Sequence, residues 1–143
     1  EYVAADGSKK RPIMIHRVCF GSIERFIGIL IEHFAGQFPT WLAPVQVKVL
    51  PISEKFADYA KQVADRLDAE GIRVEVDDRA EKIGYKIREA RNERVPYMLI
   101  VGEKDLEANK VSLRSRKNGE EGQQDLADVI ARLKEEIQTR ALD

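Results

Sequence analysis

Two short stretches concentrate the side chains best suited to hold an anion. Residues 79–94 carry six basic groups, Arg79, Lys82, Lys86, Arg88, Arg91 and Arg94, against three acidic ones. Residues 110–117 add Lys110, Arg114, Arg116 and Lys117 with no acidic residue. The flanks have the opposite sign, with 4 basic and 8 acidic residues over 51–78, and 3 and 7 over 118–143. Basic islands inside an acidic frame suit a local polyanion site better than non-specific coating of nucleic acid, although two solvated faces would give the same count. The first island also contains Tyr85. Arginines beside an aromatic ring can stack on bases and make bidentate contacts to base edges, which is how unpaired RNA loops are read.

Other chemistry is sparse. There is no GxGxxG and no GxxxxGK[ST], so nucleotide binding through a glycine-rich phosphate loop is unsupported. The two histidines, His16 and His33, and the single cysteine, Cys19, provide no triad, no CxxC pair and no internal disulfide. His16 lies in an apolar stretch, and one histidine cannot compose a zinc site. Arg25 is the odd residue in an apolar helical pattern. It either pairs with Glu24 or Glu32 or points at an anion, and sequence physics leaves the two equal.

The chain that must position these groups has 143 residues, a net charge of -1, 43% hydrophobic and 34% charged residues. Those values fit a folded chain with a charged surface, and exclude both a uniformly basic binder and an acidic disordered tail. The longest apolar run, 26–31, has six residues, far short of the roughly 18–20 that a membrane span requires. The opening Glu1-Tyr2-Val3 has no signal pattern, so the expectation is an excised piece of a longer cytoplasmic protein.

Periodicity divides the chain into two parts. Residues 5–10 have turn chemistry, and 11–20 read as a strand with Ile13, Ile15 and Val18 apolar. Ser22 is placed to cap a helix over 23–35 whose apolar residues cover most of its circumference. Such a helix requires burial on several sides, so residues 1–38 read as the end of a larger domain. A proline-bounded linker over 39–44 follows, and a second domain over 45–143.

In that second domain Val45, Val47 and Val49 alternate as a strand, and Ser53 is expected to cap a helix with Phe56, Ala60, Val63 and Leu67 spaced 4, 3 and 4. Gly71 ends it, and Ile72, Val74 and Val76 alternate again. A helix over 82–93, an apolar strand over 97–101, a strand over 110–116 and a helix through Leu126, Ile130, Leu133 and Ile137 complete the pattern. The fold class is α/β: a mixed sheet flanked by three helices, preceded by a strand–helix remnant.

Specific blocks add a family resemblance. Met14-Ile15-His16-Arg17-Val18-Cys19-Phe20-Gly21-Ser22-Ile23-Glu24-Arg25-Phe26, Phe38-Pro39-Thr40-Trp41-Leu42-Ala43-Pro44, Asp77-Asp78-Arg79-Ala80-Glu81-Lys82-Ile83-Gly84-Tyr85-Lys86-Ile87-Arg88 and Val95-Pro96-Tyr97-Met98 stand in this order. Together they resemble the C-terminal part of bacterial-type threonyl-tRNA synthetases, over essentially the whole chain. The resemblance implies that residues 1–38 close a class II catalytic domain with its third signature motif, and that 45–143 are an anticodon-binding domain. Arg25 then matches the arginine that contacts ATP, and His16 the third ligand of the zinc that selects threonine. The other two zinc ligands lie upstream in the family.

By the same resemblance Lys82, Arg88, Arg94, Asp105 and Arg114 match the residues that read the second and third anticodon bases, G and U. Alanine stands at Ala80 where the family has asparagine, and Asp105 where glutamate is common. The implied partner is the anticodon loop of threonine tRNA. Zinc and ATP with Mg belong to the full-length parent, a homodimer, and no cofactor is expected for this fragment, which is expected to be catalytically inactive. The fragment is expected to self-associate through the exposed apolar helix at 23–34. The rival reading is a synthetase-derived α/β module that uses the same surface for a protein partner.

Overall fold

A computed structural model describes residues 1–142. At the N-terminus, β1 (Tyr2–Val3) pairs antiparallel with β2 (Lys9–Lys10) across the expected turn, whose Asp6 accepts hydrogen bonds from the backbone and hydroxyl of Ser8. The predicted strand over 11–20 is not formed. Ile13 is 91% and Ile15 79% exposed, and no described strand runs beside them. A strand exists only where a neighbour pairs its backbone donors and acceptors, and alternation of side chains cannot provide that neighbour.

Ser22 caps α1 (Ile23–His33) as expected, its hydroxyl accepting from the Arg25 N–H at 3.3 Å. Ala35 and Gly36 follow with φ +49° and +71°, the left-handed turn that ends helices, and the Gly36 N–H donates back to the Ile31 carbonyl at 2.8 Å. No residue of α1 is buried, and Ile23, Ile27, Ile29 and Ile31 lie open to solvent.

The remaining chain forms β3 (Val47–Pro51), α2 (Ala57–Ala69), β4 (Val74–Val76), α3 (Ile83–Asn92), β5 (Tyr97–Val101), α4 (Glu103–Ala108), β6 (Lys110–Ser115), β7 (Gly119–Asp125) and α5 (Leu126–Thr139). The sheet order is β4-β3-β5-β6-β7, with β4, β3 and β5 parallel and β6 and β7 antiparallel. The mixed sheet matches expectation, but β7 and the short α4 were not read from sequence. Ser53 also makes no side-chain cap: a single 3-10 turn over Glu54–Phe56 leads into α2 instead.

Alternation along the strands sorts the two faces. Val47, Val49, Leu99, Val101, Val111 and Leu113 form one core face against Ala60, Val63 and Leu67 of α2 and Val129 and Leu133 of α5. On the other face Leu50 and Met98 pack against Ile83, Ile87 and Ala90 of α3. That second face continues past α3 along two registered ladders. Lys48, Met98, Arg114 and Glu120 form one, and Leu50, Ile100, Ser112 and Gln123 the other. Its β6–β7 end is polar, and of the described helices only short α4 borders it.

Residues 40–43 are fastened to α5 and to the residues that lead into β3 and β4. Thr40 donates to Glu136 at 3.1 Å, Gln46 to the Thr40 carbonyl at 2.9 Å, and Arg73 to the carbonyls of Trp41 and Ala43.

Candidate nucleic-acid interface

The ten cations of the two basic islands divide by what they already hold. Arg79 grips Asp77 through both carboxylate oxygens, at 2.8 and 2.7 Å, and reaches Glu89 at 2.6 Å. Lys86 is 2% exposed and donates to the carbonyls of Pro51 and Asp77 at 3.1 and 2.9 Å. Lys110 pairs with Asp125, and Arg116 donates to the carbonyls of Arg94 and Phe38. These four build the scaffold. Among the described residues, the side chains of Lys82, Arg88, Arg91, Arg94, Arg114 and Lys117 make no hydrogen bond or ion pair, so the donors of these six are unspent.

Arg91, Arg94 and Arg114 meet in a cavity of about 270 Å³ with Gln37, Met98 and Ser115. The elements explain the convergence. Arg91 lies on the last turn of α3, and Arg94 follows it with φ +60°, a left-handed residue that turns the chain toward Pro96 and β5. Arg114 is the β6 residue in register with Met98, on the same face of the sheet. The structure thus brings together Arg94 and Arg114 from the expected set. It adds Arg91, which sequence reading counted as a charge but did not place in the site. No local spacing singles it out, since Arg88, three residues earlier on the same helix face, does not line the cavity.

Lys82 and Arg88 lie outside this cavity, at the start and middle of α3. Asp105 is elsewhere again, 5% exposed at the rim of a second concavity with Ser112 and Gln123. Its carboxylate accepts from the Gly102 N–H at 3.0 Å, Ser112 Oγ at 2.8 Å and Gln123 Nε2 at 3.0 Å. It therefore anchors α4 and orients two polar side chains of the sheet face. Ser112 and Arg114, two residues apart on one strand, place the two concavities roughly 7 Å apart. Ala80 is exposed in the loop before α3.

The loop over 77–82 is held by Asp77, whose pKa lies below the ordinary 3.8 because Arg79 hydrogen-bonds its carboxylate, against the opposing effect of burial. A carboxyl with a lowered folded-state pKa stabilises fully above its unfolded value, and loses that contribution as pH falls through the folded value. Urea midpoints should therefore drop below about pH 4, and Asp77→Asn should make that drop shallower. An unchanged acid limb in Asp77→Asn would remove Asp77 from this role.

The N-terminal candidates stand apart. Arg25 is exposed on α1, and Glu24 bonds Ser22 rather than Arg25. His16 is exposed in the unpaired segment, and among the described residues no three His, Cys, Asp or Glu side chains converge as metal ligands. His16 alone does not compose a zinc site.

Comparison with known proteins gives a consistent answer. Residues 46–136 match the family described as "Anticodon binding domain". The chain is 65% identical over 139 residues to a threonine–tRNA ligase of Clostridioides difficile, covering 97% of this chain and 22% of that protein. It is 63% identical over 142 residues to the threonine–tRNA ligase of Caldanaerobacter subterraneus, again 22% of that protein. The chain thus spans about a fifth of the length of these relatives. Among solved structures, the RNA binding domain of threonyl-tRNA synthetase from Cryptosporidium parvum superimposes with a TM-score of 0.74 at 38% identity, over 80% of this chain and 29% of that one.

Proposed function

The chain belongs to the anticodon-binding domain family, and from that premise we propose that it docks the anticodon loop of threonine tRNA as the C-terminal part of a threonine–tRNA ligase. The observation that carries this reading is the cavity where Arg91, Arg94 and Arg114 present unspent guanidinium donors at an open sheet face. Guanidinium forks match guanine O6 and N7, and an unpaired loop leaves such base edges free to be read. Lys82 and Arg88 extend the cationic surface along α3, and Lys82 is placed for the phosphate backbone. Asp105 accepts protein hydrogen bonds and acts on the RNA through Ser112 and Gln123. The central G and the U after it are the bases assigned to this surface, with Ala80 contributing no side-chain hydrogen bond.

The parent enzyme would activate threonine with ATP and Mg and transfer it to tRNA, with Arg25 contacting ATP and His16 serving as one of three zinc ligands. In this reading residues 1–38 complete a class II catalytic domain, 39–44 are the linker, and the parent is a cytoplasmic homodimer. The 143-residue chain alone would bind without catalysing.

The test is binding of the chain to a threonine-tRNA anticodon stem-loop, beside a loop with the central G replaced, across a salt series. A preference for the G loop that survives salt supports direct base reading. Equal, steeply salt-dependent binding leaves only backbone electrostatics and overturns it. No binding to either loop returns the surface to a protein partner.

The open face of α1 supports a further expectation. Ile23, Ile27 and Ile31 are spaced by four on one side of the helix and exposed. Exposed apolar stripes of this kind drive association. Sedimentation should show a concentration-dependent dimer that Ile27→Glu disperses. A strictly monomeric wild-type chain at high concentration would refute it.

A further inference from the structure

We infer that Tyr85 and Arg88 form a stacking clamp for one unpaired base of the RNA, on α3 and outside the arginine-lined cavity. The inference rests on the RNA reading above. Tyr85 is 36% exposed, although α3 turns Ile83, Ile87 and Ala90 inward and does not need this ring for its core. The ring is nonetheless fixed. Its hydroxyl donates to Glu89 at 2.6 Å, Glu89 accepts from Arg79 at 2.6 Å, and Arg79 forks onto Asp77, which is buried. This run of bonds ties the tip of an exposed phenol to the interior, pre-organising an aromatic plane at the surface.

The two guanidinium groups near that plane differ in freedom. Arg79 lies 5.9 Å from the ring centroid and is held by two carboxylates. Arg88 lies 5.4 Å away and, among the described residues, makes no hydrogen bond or ion pair. An entering base can therefore take the Arg88 position on the ring, and the Arg88 guanidinium can close over the base's outer face. Stacking between an aromatic ring and a guanidinium suits any base, since every base has a π-face. The clamp thus adds affinity without choosing a sequence, which separates it from the role proposed for Arg114. The cationic neighbours Lys82 and Arg91 favour a nucleic-acid strand over an aromatic side chain of a protein.

The experiment uses the 143-residue chain and anticodon stem-loops carrying 2-aminopurine at each loop position in turn. Wild type should quench the fluorophore at one position. Tyr85→Leu should abolish that quenching and weaken binding about ten-fold, with the salt slope unchanged, because stacking releases no counterions. Tyr85→Phe should retain both. Arg88→Lys should keep the slope but lose part of the quenching, whereas a purely electrostatic Arg88 would be rescued by lysine. Tyr85→Leu with wild-type affinity and quenching would overturn the clamp. Arg114→Ala in the same series tells the two readings apart: if it loses binding while Tyr85→Leu does not, only the clamp fails. If wild type binds no loop, both fail.

Discussion

Replacing Lys86 with methionine should lower folding stability by about 2–4 kcal/mol. Lys86 is 2% exposed, and its ammonium group holds the carbonyl of Pro51 at the end of β3 and that of Asp77 just after β4. Two effects oppose each other. Methionine of similar length removes the desolvation cost of a buried cation, and such replacements of whole buried ion pairs can be neutral or stabilising. Here, however, the acceptors are backbone carbonyls that stay in place. The substitution strips them of charged donors without removing them, so the penalty for unsatisfied buried groups wins. The two strand ends would loosen, and with them the loop that leads to Lys82. Urea unfolding should show a lower midpoint with an unchanged m-value. A midpoint equal to wild type would mean that water replaces the ammonium at no cost.

Lys86 also shows where sequence reading stops. In the chain it is one of six cations in a basic island, indistinguishable from Arg88 or Arg91. Only the strand ends that converge on it make it structural. The same holds for Arg116, which bonds the Phe38 carbonyl across the chain. Counting charges located the surface, because the islands persist in space as α3 and β6. Which charges are spent depends on long-range acceptors that no local pattern encodes.

Elements with apolar periodicity were legible: the 4, 3, 4 spacing marks α2 and α5 because Ala60, Val63 and Leu67, and Leu126 and Leu133, bury against the sheet, with Ile130 and Ile137 partly buried beside them. Strand β7 was not, since Gly-Glu-Glu-Gly-Gln-Gln-Asp buries no apolar side chain and is held through backbone pairing with β6. Short α4 was missed for a related reason. Its definition comes from Asp105, which accepts the Gly102 N–H and reaches across to Ser112 and Gln123. The error over 11–20 runs the other way, a strand pattern with no neighbour to pair with. Burial writes itself into periodicity; pairing partners and polar anchors do not.

Arg114→Ala should remove about 1–3 kcal/mol of discrimination at a single base while leaving the fold intact. The residue lies on β6 between Met98 of β5 and Glu120 of β7, so the strand fixes where its side chain starts. Among the described residues its guanidinium has no competing acceptor, so its removal orphans no buried group. Both facts assign the loss to binding and not to stability. Lys82→Ala gives the contrast. Lys82 is exposed at the N-cap of α3, and a flexible ammonium there neutralises phosphate without reading a base. It should weaken every stem-loop alike and reduce the salt slope by about one, whereas Arg114→Ala should narrow the gap between G-containing and G-replaced loops. Equal losses for both mutants across all loops would mean that Arg114 also senses only charge. Base selection would then fall to Arg91 and Arg94, which line the same cavity from the α3 side.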